Sequence, residues 1–442
     1  MQDLGIGRGS IVAVNSFDML TTMTCLVATS LLGARLITAN KLLARDKVIK
    51  PTHFLRSEEA TGTDKVAFEV MDATWHPSET TRSAIDNFPG CASDQDDWMY
   101  LHTSGTTGKP KYIAMSEAIV RDRSAAVVDN FPRRATTMGI TFAAHSRPFY
   151  ARAAASLMQA CAIVESTLLE DWLSTGVNVV CASPGQIAFM MKDQTLERKI
   201  GRLEVSGAKL SKSMLLDLLR NFRTVVDVYG ATETNKSFET IHSLNENGVL
   251  VSKGHRRDVE VEILAEDGST CGTGEMGHVR VRNHYLVDGY LNAPEATEKS
   301  FRGGWFYPGD LATWGHNGEL VIIGRDDDLI NVGGYKMNAG MLDLFFAAVP
   351  GISEAIVFRN PKPDAVDLVL VWAVFEDDVA VSDIATAACA LAADRLGILI
   401  MPTAVRAVGS IPRTADGDPD RKACVAMVRE RAGMEELADE PG

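Results

Sequence analysis

Residues 101–111, LHTSGTTGKPK, place two glycines (Gly105 and Gly108), four hydroxyl side chains (Thr103, Ser104, Thr106 and Thr107) and two lysines in one short stretch. These types at this density suit phosphate. Glycines let backbone N–H groups come close to an anion, hydroxyls donate to its oxygens, and Lys109 neutralises its charge. The stretch is not a Walker loop, which needs four residues between its glycines and Ser or Thr after its lysine. Here only Thr106 and Thr107 separate the glycines, and Pro110 follows Lys109. Taken alone, the same composition also describes a polar turn between two strands. The segments downstream favour phosphate.

The elements that must position such a loop are legible around it. SIVAVNS (10–16) has the composition of a buried strand, and the residues after it can return as a helix before Leu36-Ile37. VNVVCA (177–182) is a second apolar strand. It is followed by Ser183-Pro184, an N-cap and first-turn pair opening a helix through Met191. Ser211 can cap SKSMLLDLLRNF, and TVVDVYG (224–230) is the strand after it. Strand, helix, strand in this rhythm means an α/β fold on largely parallel sheets. Near residue 250 the pattern changes. VEVEIL (259–264) and HVRVRN (278–283) alternate apolar with polar residues, as an antiparallel pair with one wet face does, and GELVIIGR (318–325) adds a strand. Beyond Arg325, EAIVFRN, DLVLVWAVF, a helix from Ser382 to about Arg395 and AVRAV read as an α+β unit. The expected organisation is a large domain over residues 1–325 and a small one over 326–442, with a prior of ~150 residues per domain.

Composition narrows the function classes. The chain has 442 residues, 46% apolar and 23% charged, which excludes wholesale disorder. Its net charge of −14 makes nucleic acid and anionic membrane poor partners. Seven scattered cysteines form no C-x-x-C pair, which argues against a disulfide framework or zinc site and fits reduced thiols in a cytoplasmic protein. MQDLGIGRGS lacks the order of a signal peptide. Of the two long uncharged runs, residues 19–34 fall short of the ~20 apolar residues a membrane span needs, and Ser183-Pro184-Gly185 interrupts residues 172–191. Both read as buried pieces of a soluble fold, with no membrane insertion.

The loop T-S-G-T-T-G-K-P-K resembles the phosphate loop of the adenylate-forming superfamily of acyl-CoA synthetases, peptide-synthetase adenylation domains and luciferases. Further segments resemble that family's motifs in the same order: VYGATET (228–234), GYLNAPEATEKSF (289–301), GWFYPGD (304–310), GRDDDLINVGGY (324–335) and IPRTADGDPDRKA (411–423). GIGRGSIVAVNSF resembles its early strand, without the segment that usually precedes it, so the chain reads as short at its N-terminus. The resemblance implies an enzyme that joins ATP and a carboxylic acid as an acyl-adenylate, with Mg2+, and passes the acyl group to the thiol of CoA or of a carrier protein's phosphopantetheine. It implies that Thr103, Ser104, Gly105, Thr106, Thr107, Gly108 and Lys109 hold the β and γ phosphates. Gly207, Ala208, Tyr229 and Gly230 line the adenine, Thr232 donates to the α-phosphate, and Glu233 is the metal ligand. Asp310 takes the ribose hydroxyls, with Arg325 beside it. Asp327 is the hinge of a mobile C-terminal lid, and Gly333-Gly334 admit the thiol arm. Outside the motifs, Asp310 reads equally as a salt-bridged loop carboxylate, Glu233 as a helix cap and three consecutive aspartates as plain surface.

Two departures stand out. The closing motif of the family carries a catalytic lysine where this chain has Asp418, and replacing a donor by a negative charge among phosphates should cost more than the ~10²–10³ of a lost donor. Lys422, four residues on, is a candidate substitute, although a surface lysine there is the plainer reading. The alternative to a full ligase is therefore a degenerate member that transfers a preformed adenylate or only binds nucleotide. The stretch HSRPFYARAAA (145–155) has Tyr150 after Phe149, where amino-acid-activating relatives carry an Asp after that Phe, so a simple carboxylic acid is expected in that pocket.

Overall fold

Val12, Ala13 and Val14 are all buried in β1 (Ile11–Asn15), as an uncharged run covered on both faces requires. The computed structural model describes the chain apart from residues 16–18, 39–47, 58–68, 72–74, 76–86, 104–110, 142–152, 167, 192–193, 208–209, 211, 256–258, 292, 327, 333–334, 363–368, 377–378, 414–418 and 432–442. β1 pairs in parallel with β2 (Arg35–Thr38) and β3 (His53–Ser57). β4 (Glu69–Met71), β5 (Asp97–Thr103) and β6 (Lys111–Ser116) complete a six-stranded sheet of order β4-β3-β1-β2-β5-β6, parallel but for β5–β6. The uncharged run from residue 19 forms the helix Met19–Leu31, whose Met23, Cys25 and Leu26 pack against this sheet.

The second sheet runs β13-β12-β11-β10-β9-β7-β8. It contains β7 (Thr137–Ile140), β8 (Ala162–Val164), β9 (Val179–Ala182), β10 (Ile200–Ser206), β11 (Phe222–Ala231), β12 (Asn235–Leu244) and β13 (Leu250–His255). Its β8-to-β11 side is parallel, and β12 and β13 are antiparallel. Ser183 and Pro184 open the helix Pro184–Met190 as expected, with a reciprocal Ser183–Gln186 cap. The helix after Ser211 spans Lys212–Asn221, Ser211 itself lying outside the described residues. Leu203 and Val205 face these helices, whereas Glu204 on the same strand faces the opposite side with Asn130.

The third sheet is antiparallel. β14 (Glu260–Leu264) pairs with β15 (Met276–Arg282), as the alternation required: Val261, Ile263, Val279 and Val281 are buried, and Arg280 and Arg282 pair with Glu262 and Glu260 on the wet face. β16 (Phe301–Arg302), β17 (Trp305–Phe306), β18 (Asp310–Trp314) and β19 (Leu320–Arg325) complete it. Beyond it come a hairpin of β20 (Leu329–Val332) and β21 (Tyr335–Asn338) and a sheet of β22 (Ile352–Arg359), β23 (Val369–Phe375) and β24 (Val405–Ala407). Val357 and Val371 face the helices Ala339–Ala347 and Val381–Leu396, and Ile356, Phe358 and Trp372 face the helix Arg421–Arg431. Among the described residues no helix is long and apolar enough to cross a membrane.

Candidate functional site

The first part of the site is built where β18 begins. Asp310 is in register with Arg325, and its Oδ1 accepts from Arg325 Nη1 at 2.8 Å. Its Oδ2 accepts from the Tyr229 hydroxyl at 2.6 Å. Gly309 makes the approach possible. It has φ of +78°, and a Cβ there would lie 3.0 Å from Arg325 Nη2. Each carboxylate oxygen accepts more than one hydrogen bond, so an Asp310 held from two sides still offers acceptor positions to a pair of hydroxyls. The salt-bridged carboxylate and the hydroxyl-binding carboxylate are thus compatible. Tyr229 reaches Asp310 from a bulge where β11 loses register with β12, between Tyr229 and Gly230.

The second part is the turn between β11 and β12, which carries Thr232 and Glu233. Thr234 N donates to Ala231 O and its hydroxyl accepts from Ala231 N, closing the turn, and Asn235 follows in the left-handed region at φ 60°. A short turn followed by a left-handed residue is a common hairpin connection, and Asn tolerates that conformation. Glu233 is buried, and its Oε1 accepts from the Tyr290 hydroxyl at 2.7 Å. Burial and the facing Glu233 carboxylate push the Tyr290 phenol far above its ordinary value, so it stays a donor throughout the physiological range. Glu233 and the Thr232 hydroxyl are hard oxygen donors of the type Mg2+ takes, so the residues present fit that ion.

Tyr290 also joins this turn to the phosphate-type loop. Lys111 Nζ lies 4.7 Å from the centre of its ring, and Leu291 N donates to Tyr112 O at 2.8 Å. Gly289 permits the fit, because a Cβ there would meet Thr297 Cγ2 at 2.4 Å, while the Thr297 hydroxyl accepts from Tyr290 N. Thr103 ends β5 opposite Lys111 at the start of β6. The loop of Ser104, Gly105, Thr106, Thr107, Gly108 and Lys109 thus connects two antiparallel strands and lies itself outside the described residues. So do Ala208, Phe149, Tyr150, Asp327, Gly333, Gly334 and Asp418. Gly207 follows β10 at φ +104°, at an exposed turn. Lys422 is exposed in the first turn of the helix Arg421–Arg431. Its neighbour Arg421 is anchored on Asp328 at 2.7 Å and on Asp343.

Two features escape sequence reading. Arg123, wholly buried, donates to the carbonyls of Thr232 and Glu233. It sits in the run Arg121-Asp122-Arg123, which reads as a solvated face. Its signal is faint: it stands three residues after Val120, on the buried side of the helix Glu117–Ala125. The second is a buried charge cluster just past the turn. Lys236 Nζ donates to Glu204 Oε2 at 3.1 Å and to Glu239 Oε1 at 2.6 Å, with Arg202 beside Glu204. Burial works against the Glu204 carboxylate, but Lys236 and Arg202 outweigh it and hold its pKa below the ordinary value. No spacing in the sequence pairs residue 204 with 236.

The chain matches known proteins over most of its length. A family model described as AMP-binding enzyme matches residues 1–291, which include the Gly-Thr loop and the Thr232–Glu233 turn. The chain is 26% identical over 310 residues to a probable CoA ligase, CCL9, of Humulus lupulus, a match covering 64% of this chain and 58% of that protein. It is 26% identical over 348 residues to the 3-hydroxybenzoate–CoA ligase of Aromatoleum sp. (strain CIB), covering 74% and 65%. The chain thus spans less than two thirds of the length of these two curated relatives. In three dimensions it is similar to the O-succinylbenzoate coenzyme A synthetase of Bacillus subtilis in complex with AMP. The TM-score is 0.72 at 18% identity, over 95% of this chain and 89% of that one.

Proposed function

The chain belongs to the AMP-binding enzyme family, and on that premise we propose that it is an AMP-forming acid–thiol ligase. A carboxylate oxygen attacks the α-phosphorus of ATP. The new O–P bond replaces the bond to pyrophosphate, and an acyl-adenylate results. A thiol sulfur then attacks the acyl carbon, and AMP leaves with the bonding electrons. The observation that carries this reading is the convergence of three sequence-distant segments: the Asp310–Tyr229–Arg325 clamp, the Thr232–Glu233 turn, and the strand ends that flank the Gly-Thr loop.

In this reading Asp310 grips the ribose hydroxyls, with Arg325 and Tyr229 holding its carboxylate in one orientation. The Tyr229 ring and the turn from Gly207 to Ala208 flank the adenine, with Gly230 leaving space beside it. Thr232 donates to the α-phosphate. Thr103 and the loop from Ser104 to Lys109 take the β and γ phosphates. Charge builds on phosphate oxygens during attack, so the residues work by position and by preorganised charge. Mg2+, when bound, offsets that charge through the hard oxygen of Glu233. Phe149 and Tyr150 belong to the acid pocket, and the acid is a simple carboxylic acid. Relatives named as CoA ligases support CoA as the acceptor; carrier-protein phosphopantetheine is the other thiol of the same chemistry. Residues 326–442 act as a lid turning at Asp327, with Gly333 and Gly334 beside the thiol arm. Both half-reactions take place in the cytoplasm.

One observation favours a second reading. Asp418 stands where the family's closing lysine does, and Lys422 is fixed on an exposed helical turn, not on the loop. A member so altered would transfer preformed adenylate or only bind nucleotide. Pyrophosphate exchange with a panel of carboxylic acids separates the two. Exchange with at least one acid supports the ligase; nucleotide binding without exchange supports the second reading.

A further inference from the structure

The helix Glu117–Ala125 begins directly after β6, the return strand of the Gly-Thr loop, and Ser116 caps it. Its inner face is small or apolar except for Arg123, which is 0% exposed. The guanidinium spreads its donors over the turn and one neighbour. Nη1 donates to Thr232 O at 2.9 Å and Nη2 to Glu233 O at 2.7 Å. Nε and Nη2 both donate to Tyr285 O, at 3.2 and 3.0 Å, five residues before Tyr290. Asn235 Nδ2 in turn donates to Arg123 O at 3.5 Å, tying the far side of the turn back to the helix. A planar fork with fixed donor directions dictates where three carbonyls sit, which a point-like ammonium cannot do.

We propose that Arg123 is the positioning residue that sets the Thr232–Glu233 turn against the helix Glu117–Ala125 and β6, the strand that returns from the Gly-Thr loop, a role that rests on the adenylating reading above. The guanidinium donates to the main-chain carbonyls of the residues whose side chains would meet the α-phosphate and metal, and also to Tyr285 O and Met115 Sδ beside them. It acts through them, and it couples them to the helix that follows the loop for the other two phosphates. The ribose clamp is built on β18 and β19 and on Tyr229 of β11, three residues before the turn. Loss of the fork therefore misaligns the phosphate half of the site and spares the nucleoside half. A displacement on the order of 1 Å in a reacting geometry costs about 10²-fold in rate.

The test uses the full chain with Arg123→Lys, Arg123→Met and, as a control on the exposed side of the same helix, Arg121→Ala. Adenosine affinity, Mg2+-ATP affinity and pyrophosphate exchange at saturating ATP and acid are measured for each. Arg123→Lys should bind adenosine within about twofold of the parent, lose about 10² in exchange kcat and need more Mg2+ for half-maximal rate. Arg121→Ala should match the parent. If Arg123→Met does not fold, Arg123→Lys carries the test. An Arg123→Lys protein with parental kcat overturns the proposal, and so does one in which adenosine affinity and kcat fall together, since that is a role in folding alone. If the parent binds Mg2+-ATP without exchange, the readout becomes Mg2+-ATP affinity, which must fall in Arg123→Lys while adenosine affinity holds. A parent that binds neither ligand shows the adenylating reading itself to be wrong, and the proposal falls with it.

Discussion

The Thr232–Glu233 turn and the segment that leads into the helix Arg421–Arg431 are supported by different kinds of contact, the one by hydrogen bonds to its carbonyls and the other by ion pairs at its described ends. Arg123, Asn283, Val287 and Tyr290 hold the turn from below through its carbonyls and one carboxylate oxygen, so each side chain has one available aim. The described residues on both sides of 414–418 are held: Ile411 is buried and Arg413 pairs with Glu354 before them, and Arg421 is anchored after them. Arg421 binds Asp328, Asp343 and the Val357 carbonyl, and Lys422 beyond it is exposed. A site that develops charge needs donors already in place. The family's motif residues are present at the turn, where aim is set by buried bonds. Asp418 lies between those anchored residues, outside the described ones.

The contrast can be broken or sharpened by substitution. Asp310→Ala removes an ion-pair partner of Arg325 and, in the proposed site, the acceptor for the two ribose hydroxyls, and should lower pyrophosphate exchange by about 10²–10³-fold, with adenosine affinity falling in parallel titrations. Equal affinities would remove Asp310 from the nucleotide site. Arg421→Met breaks two ion pairs that are four-fifths covered. Denaturant unfolding should show a loss of about 2–3 kcal/mol, below the full cost of a wholly buried pair. Asp418→Lys restores a cation in that segment, and at least about a tenfold gain in exchange is expected if the segment reaches the phosphates. No gain would mean that it does not.

A pH effect should come from Asp343. Burial pushes its carboxyl up from an ordinary 3.8 to about 7, against the pull of Arg421 and the Val357 N–H. The folded chain then binds this proton more tightly than the unfolded one. Stability through this group falls as pH rises from about 4 to about 7 and is level above. Asp343→Asn lacks that fall, so its unfolding free energy relative to the parent should climb toward pH 7 and then hold steady. A constant difference from pH 5 to 8 would contradict it. The smallest effect expected is that of Lys422→Ala, within about twofold in exchange, as for a surface lysine. A large loss would instead make Lys422 the replacement cation.

Much of the architecture was legible because it is written in local pattern. The Ser183-Pro184 start, the paired alternation of residues 259–264 and 278–283, and the apolar strand at 224–230 each depend on residues within one turn or one strand. The run Arg121-Asp122-Arg123 was not legible in this way. Its charges suggest solvent, and its third member is sealed under a hairpin more than a hundred residues later. Lys236 was equally hidden, since its two glutamates come from β10 and β12 and meet only when those strands take their places around β11.

From the sequence came the α/β class, the Gly-Thr loop between strands and, through the family resemblance, Asp310 with Arg325 beside it. The first two follow from residue type and short-range periodicity, which are properties of contiguous chain, and the third from the order of short motifs. Tertiary structure decided which buried groups face each other: Tyr290 on Glu233, Arg123 on two carbonyls, Lys236 between two carboxylates. Such pairings depend on strand order and register, and burial then makes them obligatory, because a charge or carbonyl removed from water must find its partner wherever the sheet brings one.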